Sequence, residues 1–133
     1  MTIQYSTTHR TNVVTDVVTQ AGATAYLLFY SGAAPGSCAS APTGTLLASL
    51  PCSNPIGSVA SGVLTFSTIT SANTTSAGTA GYWRLCTSIA GSTVIAQGSV
   101  NTAGADINFS GGVVWTLSEN ISISSLSITA AGA

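Results

Sequence analysis

Over much of this chain apolar and polar residues alternate, which is the period of a β-strand rather than of a helix. The alternation is clearest from Gly78 to Val100, GTAGYWRLCTSIAGSTVIAQGSV. Trp83 and Leu85 fall on one side of that strand, and Tyr82, Arg84 and Cys86 on the other. A small polar connection, Ser88 to Ser92, leads into a second run, Thr93 to Val100, with Val94, Ala96 and Val100 on one face. The pair predicts an antiparallel hairpin, and the remaining elements are arranged around it.

One segment keeps a different period. Val13, Val14, Val17 and Val18 recur at helical spacing within Thr7 to Gln20, which predicts an amino-terminal helix with these valines on one face. Ser6, Thr7 or Thr8 can cap its start and Gly22 can end it. Valine and threonine are poor helix formers, so packing must hold this helix, and a strand is the alternative reading.

Ala23 to Tyr30, ATAYLLFY, is continuously apolar. It predicts a central strand covered on both faces, with the helix as the natural cover for one. Ser31 to Pro42 reads as a loop, Thr45 to Leu50 as a short strand closed by Pro51, and Cys52 to Gly62 as a second loop. Val63 to Thr70 alternates, with Leu64 and Phe66 on one face and Val63, Thr65 and Ile69 on the other. Ser71 to Thr79 reads as a polar, mobile connection.

After the hairpin, Asp106 to Phe109 predicts a short strand, followed by a Gly111-Gly112 turn and a strand at Val113 to Leu117 carrying Trp115. The last strand, Asn120 to Thr129, keeps one apolar face only if Ser124-Ser125 forms a bulge. Roughly seven or eight short strands and one helix, with no crossover helices, predict a mainly β fold. The expected form is a two-sheet antiparallel sandwich or jelly-roll-like barrel, one domain spanning residues 1–133.

Charge alters this picture more than anything else. The 133 residues include two arginines, no lysine and three carboxylates, a charged share of 4% against a usual share of about 25%. Serine and threonine replace the missing charges, so the surface is polar but neutral. Near-zero charge promotes association, which suggests a protein that works packed against others. Two arginines cannot neutralise a phosphate backbone, so nucleic acid is excluded as a partner. The start of the sequence lacks the apolar core of a signal peptide, and no run reaches membrane-spanning length, so no membrane partner is expected. Three cysteines without CxxC spacing read as reduced thiols, with a Cys38–Cys52 bridge as the alternative.

Catalytic chemistry is poorly supplied. His9 is the single histidine and falls in a polar, solvated stretch, and no spacing brings Asp16, Asp106 or Glu119 together. Cys38, Cys52, Cys86 and His9 have the ligand types of a zinc site but none of its spacings. No enzyme activity, cofactor or metal is expected. Arg84, in mid-strand, calls for an ion pair, within the chain or between subunits, with Asp106 the first partner and Glu119 the next. Tyr30 and Tyr82 are candidate interface aromatics, with core packing equally open.

The order of elements resembles small structural proteins of tailed bacteriophages and prophages. It is carried by the amino-terminal helix, an aromatic strand ending Tyr30-Ser31-Gly32, a LLASL strand, VLTFSTIT, GTAGYWRL, VIAQGSV and a closing ISISSLSIT. The resemblance covers nearly the whole chain. It implies a head decoration (cement) protein, made in the bacterial cytoplasm and seated on the outer capsid surface of the virion. Its partners would be the major capsid protein and itself, as a homotrimer or homodimer. A tail-tip or fibre-associated module for host recognition is the alternative.

Overall fold

The computed structural model describes residues 2–133. The chain is mainly β with one helix, and its strands form separate, curled sheets. Helix α1 spans Thr7–Ala21; Ser6 Oγ accepts the His9 N–H at 3.1 Å, and Gly22 ends the helix at φ 64°. Both ends are those expected from the sequence. The packed stripe is Val14, Val17, Val18 and Ala21, whereas Val13 is 46% exposed. A one-residue step turns a helical side chain by about 100°, so Val13 cannot share the face of Val14 and Val18 equally.

Eleven strands follow among the described residues. They are β1 (Tyr26–Ser31), β2 (Leu46–Pro51), β3 (Gly57–Ala60), β4 (Val63–Phe66), β5 (Ala72–Asn73), β6 (Gly78–Cys86), β7 (Val94–Asn101), β8 (Ile107–Asn108), β9 (Val114–Trp115), β10 (Asn120–Ile121) and β11 (Ser127–Thr129). The surplus over the expected number comes from short pieces that alternation cannot resolve. The large sheet runs β2-β1-β6-β7-β8, with β9 against the start of β6. All pairs are antiparallel except β7 with β8. β1 is central, as its unbroken apolar run requires. β2 is an outer strand, where the missing N–H of Pro51 costs no ladder bond.

The β6–β7 hairpin is present, with Trp83 opposite Gly98 and Arg84 opposite Gln97. Its register slips between Leu85 and Cys86, so Val94 packs with Tyr82 and Cys86 rather than with Ala96 and Val100. A second irregularity lies between Tyr30 and Ser31 in the β1–β6 pairing. It is built on Gly81, where any Cβ would overlap the Gly32 carbonyl oxygen, so only glycine fits the close backbone approach.

Three readings of the chain are corrected by the fold. The Cys52 to Gly62 loop contains β3, which joins β4 through Ser61 and Gly62 at φ 50° and 79°. Two positive φ angles make this a two-residue hairpin turn, and Ser-Gly between apolar runs was its signal. The Ser71 to Thr79 connection is pinned rather than mobile. Thr74 is buried and its backbone exchanges hydrogen bonds with Glu119 and Ser118, while the Thr75 N–H reaches the Leu47 carbonyl at 2.8 Å. The last strand is not one strand with a bulge. Asn120–Ile121 pairs β5, and Ser127–Thr129 pairs β4 in the sheet β11-β4-β3.

The main core lies on the Trp83 side of the large sheet. Leu27, Phe29, Leu47, Leu50, Trp83 and Leu85 meet Leu64, Phe66, Ile69, Val14 and Ala21 there. Ile69, expected on the far side of β4 from Leu64 and Phe66, joins them because the strand ends at Phe66. Helix α1 packs chiefly on β3, β4 and β7, and the Gly62 N–H donates to Thr11 Oγ1 at 2.9 Å. The helix therefore helps close the core from the side of the small sheet.

The opposite face of the large sheet is covered by a loop. Tyr26, Leu28, Tyr30, Leu46, Tyr82, Cys86 and Val94 pack together under residues 32–45. The loop is tied down by side chains of the sheet. Tyr82 Oη donates to the Thr43 carbonyl at 2.6 Å and accepts the Thr43 N–H at 2.9 Å. Arg84 Nη2 donates to the Ser40 carbonyl at 2.9 Å, and Gln97 Nε2 to the Pro35 carbonyl at 2.8 Å.

Candidate functional site

Exposed polar groups gather where β8, β9 and β10 leave the sheets. Asp106 precedes β8 and is fixed to β7: its Oδ2 accepts the Ser99 N–H at 2.9 Å, and its own N–H donates to Ser99 Oγ at 3.2 Å. Thr74 plays the same part for Glu119. The Thr74 hydroxyl donates to the Thr116 carbonyl and accepts the Glu119 N–H at 3.0 Å. Trp115 is buried edge-on between Phe29 and Phe109, with ring centroids 5.7 and 5.2 Å away. Its indole N–H donates to the Gly112 carbonyl at 3.3 Å.

Between these supports lies an open cleft of about 920 Å³. Its walls are residues 106–112 and 119–127, and Val63, Thr65 and Trp115 close its floor. Two acidic residues, Asp106 and Glu119, line it. Nothing in their spacing predicted this, because two unrelated turns deliver them. A smaller hollow of about 280 Å³ adjoins at Asp106, Leu126 and Ser127 and is lined by Trp83. The Trp83 indole N–H is buried with no hydrogen-bond partner. On the outer side of the same segment Val114 is 73% and Leu117 64% exposed.

The expected Arg84–Asp106 pair does not form within the chain. Arg84, 2% exposed, lies on the loop-covered face, donates to Ser40 and leaves its Nε unpartnered, while Asp106 sits at the far edge of β7 and is held by Ser99. Glu119 lines the cleft, away from the loop-covered face that holds Arg84. Tyr30 and Tyr82, candidates for an interface, are buried instead, stacked at 5.1 Å with an interplanar angle of 9°. Arg84 Nε is a donor without an acceptor, and Gln97 Oε1, directly across the strand pair, is an acceptor without a donor. The spacing of Tyr82, Arg84 and Cys86 showed that they share a face. It could not show that a distant loop would fold over them.

The cysteines are free and divided between the two faces. Cys52 packs against the main core and burial pushes its thiol up to about 11. Cys86 lies under the loop, its thiol raised by burial and further by neighbouring Cys38, against the lowering effect of Arg84. Burial likewise raises the Tyr30 phenol, with Cys86 and Tyr82 adding to it. His9 stands at the start of α1 with its ring 4.8 Å from Tyr5, away from all three thiols. Among the described residues no cluster of three or more histidine, cysteine or acidic side chains is placed to hold a metal, and no helix is long and apolar enough to cross a membrane.

No protein-family model, curated protein or solved structure matches this chain.

Proposed function

We propose that this protein is a non-enzymatic component of a bacteriophage particle, a decoration protein that seats on the outside of the head and bridges major capsid protein subunits. It acts as a homo-oligomer built on a two-layer β-sandwich, the large sheet facing β11-β4-β3 across the main core. The observation that carries this reading is the exterior. Only five charged residues are present and Arg84 is buried, while Ile3, Tyr5, Val13, Ile89, Val114 and Leu117 lie exposed. A surface of hydroxyls and isolated apolar side chains is inexpensive to desolvate, because few charges must leave water. Binding only to the assembled shell favours that shell by mass action. The resemblance in element order points the same way.

Purified virions of the encoding phage test the reading. On a denaturing gel, this chain is expected at a fixed stoichiometric ratio to the major capsid protein. A handful of copies per particle would instead indicate a tail component, and its absence would refute a virion role. Head-bound protein is also expected to resist molar salt, since neutral contacts are not screened.

A further inference from the structure

We propose that Cys38 and Cys86 form a reversible disulfide that fastens the loop of residues 32–45 to the large sheet under oxidising conditions. This goes beyond a decoration role and does not depend on it, because both sulfurs belong to one chain.

The loop crosses β6 in a fixed order. Thr43 is held at Tyr82 by both of its backbone groups, and Ser40 is held at Arg84 by its carbonyl. Tyr82, Arg84 and Cys86 alternate onto one face of the strand, so a step back along the loop is a step forward along β6. The series continues to Cys38 and Cys86, each two residues beyond the Ser40–Arg84 contact. Two residues of chain reach no further than about 7 Å, which keeps both cysteines beside that contact. Cys38 sits half-buried in a turn closed by the Ser40 N–H on the Ser37 carbonyl at 3.2 Å. Cys86 is buried in the Tyr82 cluster beneath the loop. The electrostatics agree: burial raises the Cys86 thiol, Arg84 opposes that rise, and Cys38 is close enough to add to it.

Cys52 is placed outside this pair. It packs against the main core, on the other side of the sheet, so a Cys38–Cys52 bridge would have to cross the sheet. The position of Cys38 also gives the bond something to do. Between the ties at Pro35 and Ser40, and among the described residues, the loop makes no hydrogen bond to the sheet. A covalent tie at Cys38 fixes the stretch that is held least, and closing a long loop restricts the unfolded chain as well.

The oxidant is a low-molecular-weight disulfide, RSSR. The thiolate of Cys38, the more exposed of the two, attacks one sulfur. A Cys38–SR bond forms, the S–S bond of the oxidant breaks, and the leaving thiolate takes up the Cys38 proton as RSH. Cys86 then gives up its proton and attacks Cys38 Sγ, expelling the second RSH. The protein loses two electrons and two protons, and the oxidant is reduced to two thiols. Excess dithiol reverses both steps.

The test uses full-length protein purified reduced and incubated without denaturant in oxidised glutathione. Remaining thiols are alkylated and unreduced peptides are mapped by mass. The expected product is a monomer lighter by two hydrogens, with Cys38 linked to Cys86 and Cys52 alkylated. Protease cutting within residues 32–45 should slow at least about tenfold on oxidation and recover with dithiothreitol. Cys38→Ser should abolish this response, whereas Cys52→Ala should keep it. Cys86→Ala should stop at the glutathione adduct of Cys38. The proposal fails if the parent also stops at that adduct, if Cys38 pairs with Cys52 or with a second copy, or if the bond forms only in denaturant. It fails equally if the bond forms and the cutting rate does not change.

Discussion

The two faces of the large sheet are covered by opposite means. On the Trp83 side, aliphatic and aromatic side chains from β1, β2 and β6 interlock with α1 and the small sheet. On the Tyr82 side, a loop with no regular structure lies over the sheet, held by hydrogen bonds from Tyr82, Arg84 and Gln97 to its backbone. The first cover is secured by burial and close packing, which are roughly proportional to area and hard to undo at one point. The second depends on a few directional bonds, each of modest net value but costly to leave half made. One face is therefore expected to be rigid and the other to open locally before the domain unfolds.

The largest effect should come from the packed face. Phe29 is fully buried against Phe109 and Trp115. Phe29→Ala is expected to destabilise by about 3–5 kcal/mol, measured by urea unfolding. A loss below about 1 kcal/mol would mean that this core is not closely packed.

Next comes the loop-covered face. Tyr82→Phe strips the Thr43 N–H and carbonyl of their shared partner, with an expected cost of about 1–3 kcal/mol. Amide exchange should rise in residues 32–45 while that of α1 stays unchanged. Arg84→Met sharpens the contrast. Arg84 is buried with no carboxylate partner and an unpaired Nε, and an apolar replacement of similar length is often neutral or stabilising. Global stability should therefore change by less than about 1 kcal/mol, while the loop loosens at Ser40 and is cut faster by protease. Slower cutting would show that Arg84 does not hold the loop.

The same contrast explains what the sequence could tell. The hairpin, the central β1 and the ends of α1 were legible because each rests on local pattern: alternation in YWRLC, an unbroken YLLFY, a serine cap and a glycine stop. Contacts between distant segments were not. Thr74 looks like any threonine in a polar run, but it buries itself by bonding Thr116 and Glu119. Tyr30 and Tyr82 alternate as outward residues do, and only the return of residues 32–45 makes them core. Asp106 and Glu119 line one cleft because separate turns carry them there, and Arg84 misses both because it points to the other, loop-covered face of the sheet, where it donates to Ser40. Ser99 supplies the partner that Asp106 was expected to find in Arg84.

Alkaline pH should weaken both faces together. Cys52 on the core side is held protonated up to about 11, above its ordinary value of 9.0. Cys86 and Tyr30 on the loop side are raised by burial as well. A group whose pKa is higher when folded adds stability that is complete below its unfolded value and is lost as the pH climbs through the folded one. For Cys52 that window runs from 9.0 to about 11. The Tm is expected to decline across it, and Cys52→Ala should make the decline shallower. An unchanged slope would show that the thiol is not protected by the core.

The smallest effect, and the most direct reading of the contrast, is in thiol reactivity. Cys38 is half-buried within the loop, Cys86 is buried beneath it, and Cys52 borders the packed core. The thiolate is the reacting form, so raised thiols that are also covered react slowly. An alkylating reagent at neutral pH should modify Cys38 first, with Cys86 and Cys52 following only as the structure opens; peptide mass mapping assigns each. In Tyr82→Phe the loop is loosened on one face alone. Labelling of Cys86 should then accelerate severalfold while that of Cys52 stays at its parent rate. Equal acceleration of both would mean that loop and core open as one cooperative unit, so that a few hydrogen bonds on one face and close packing on the other do not set separate thresholds.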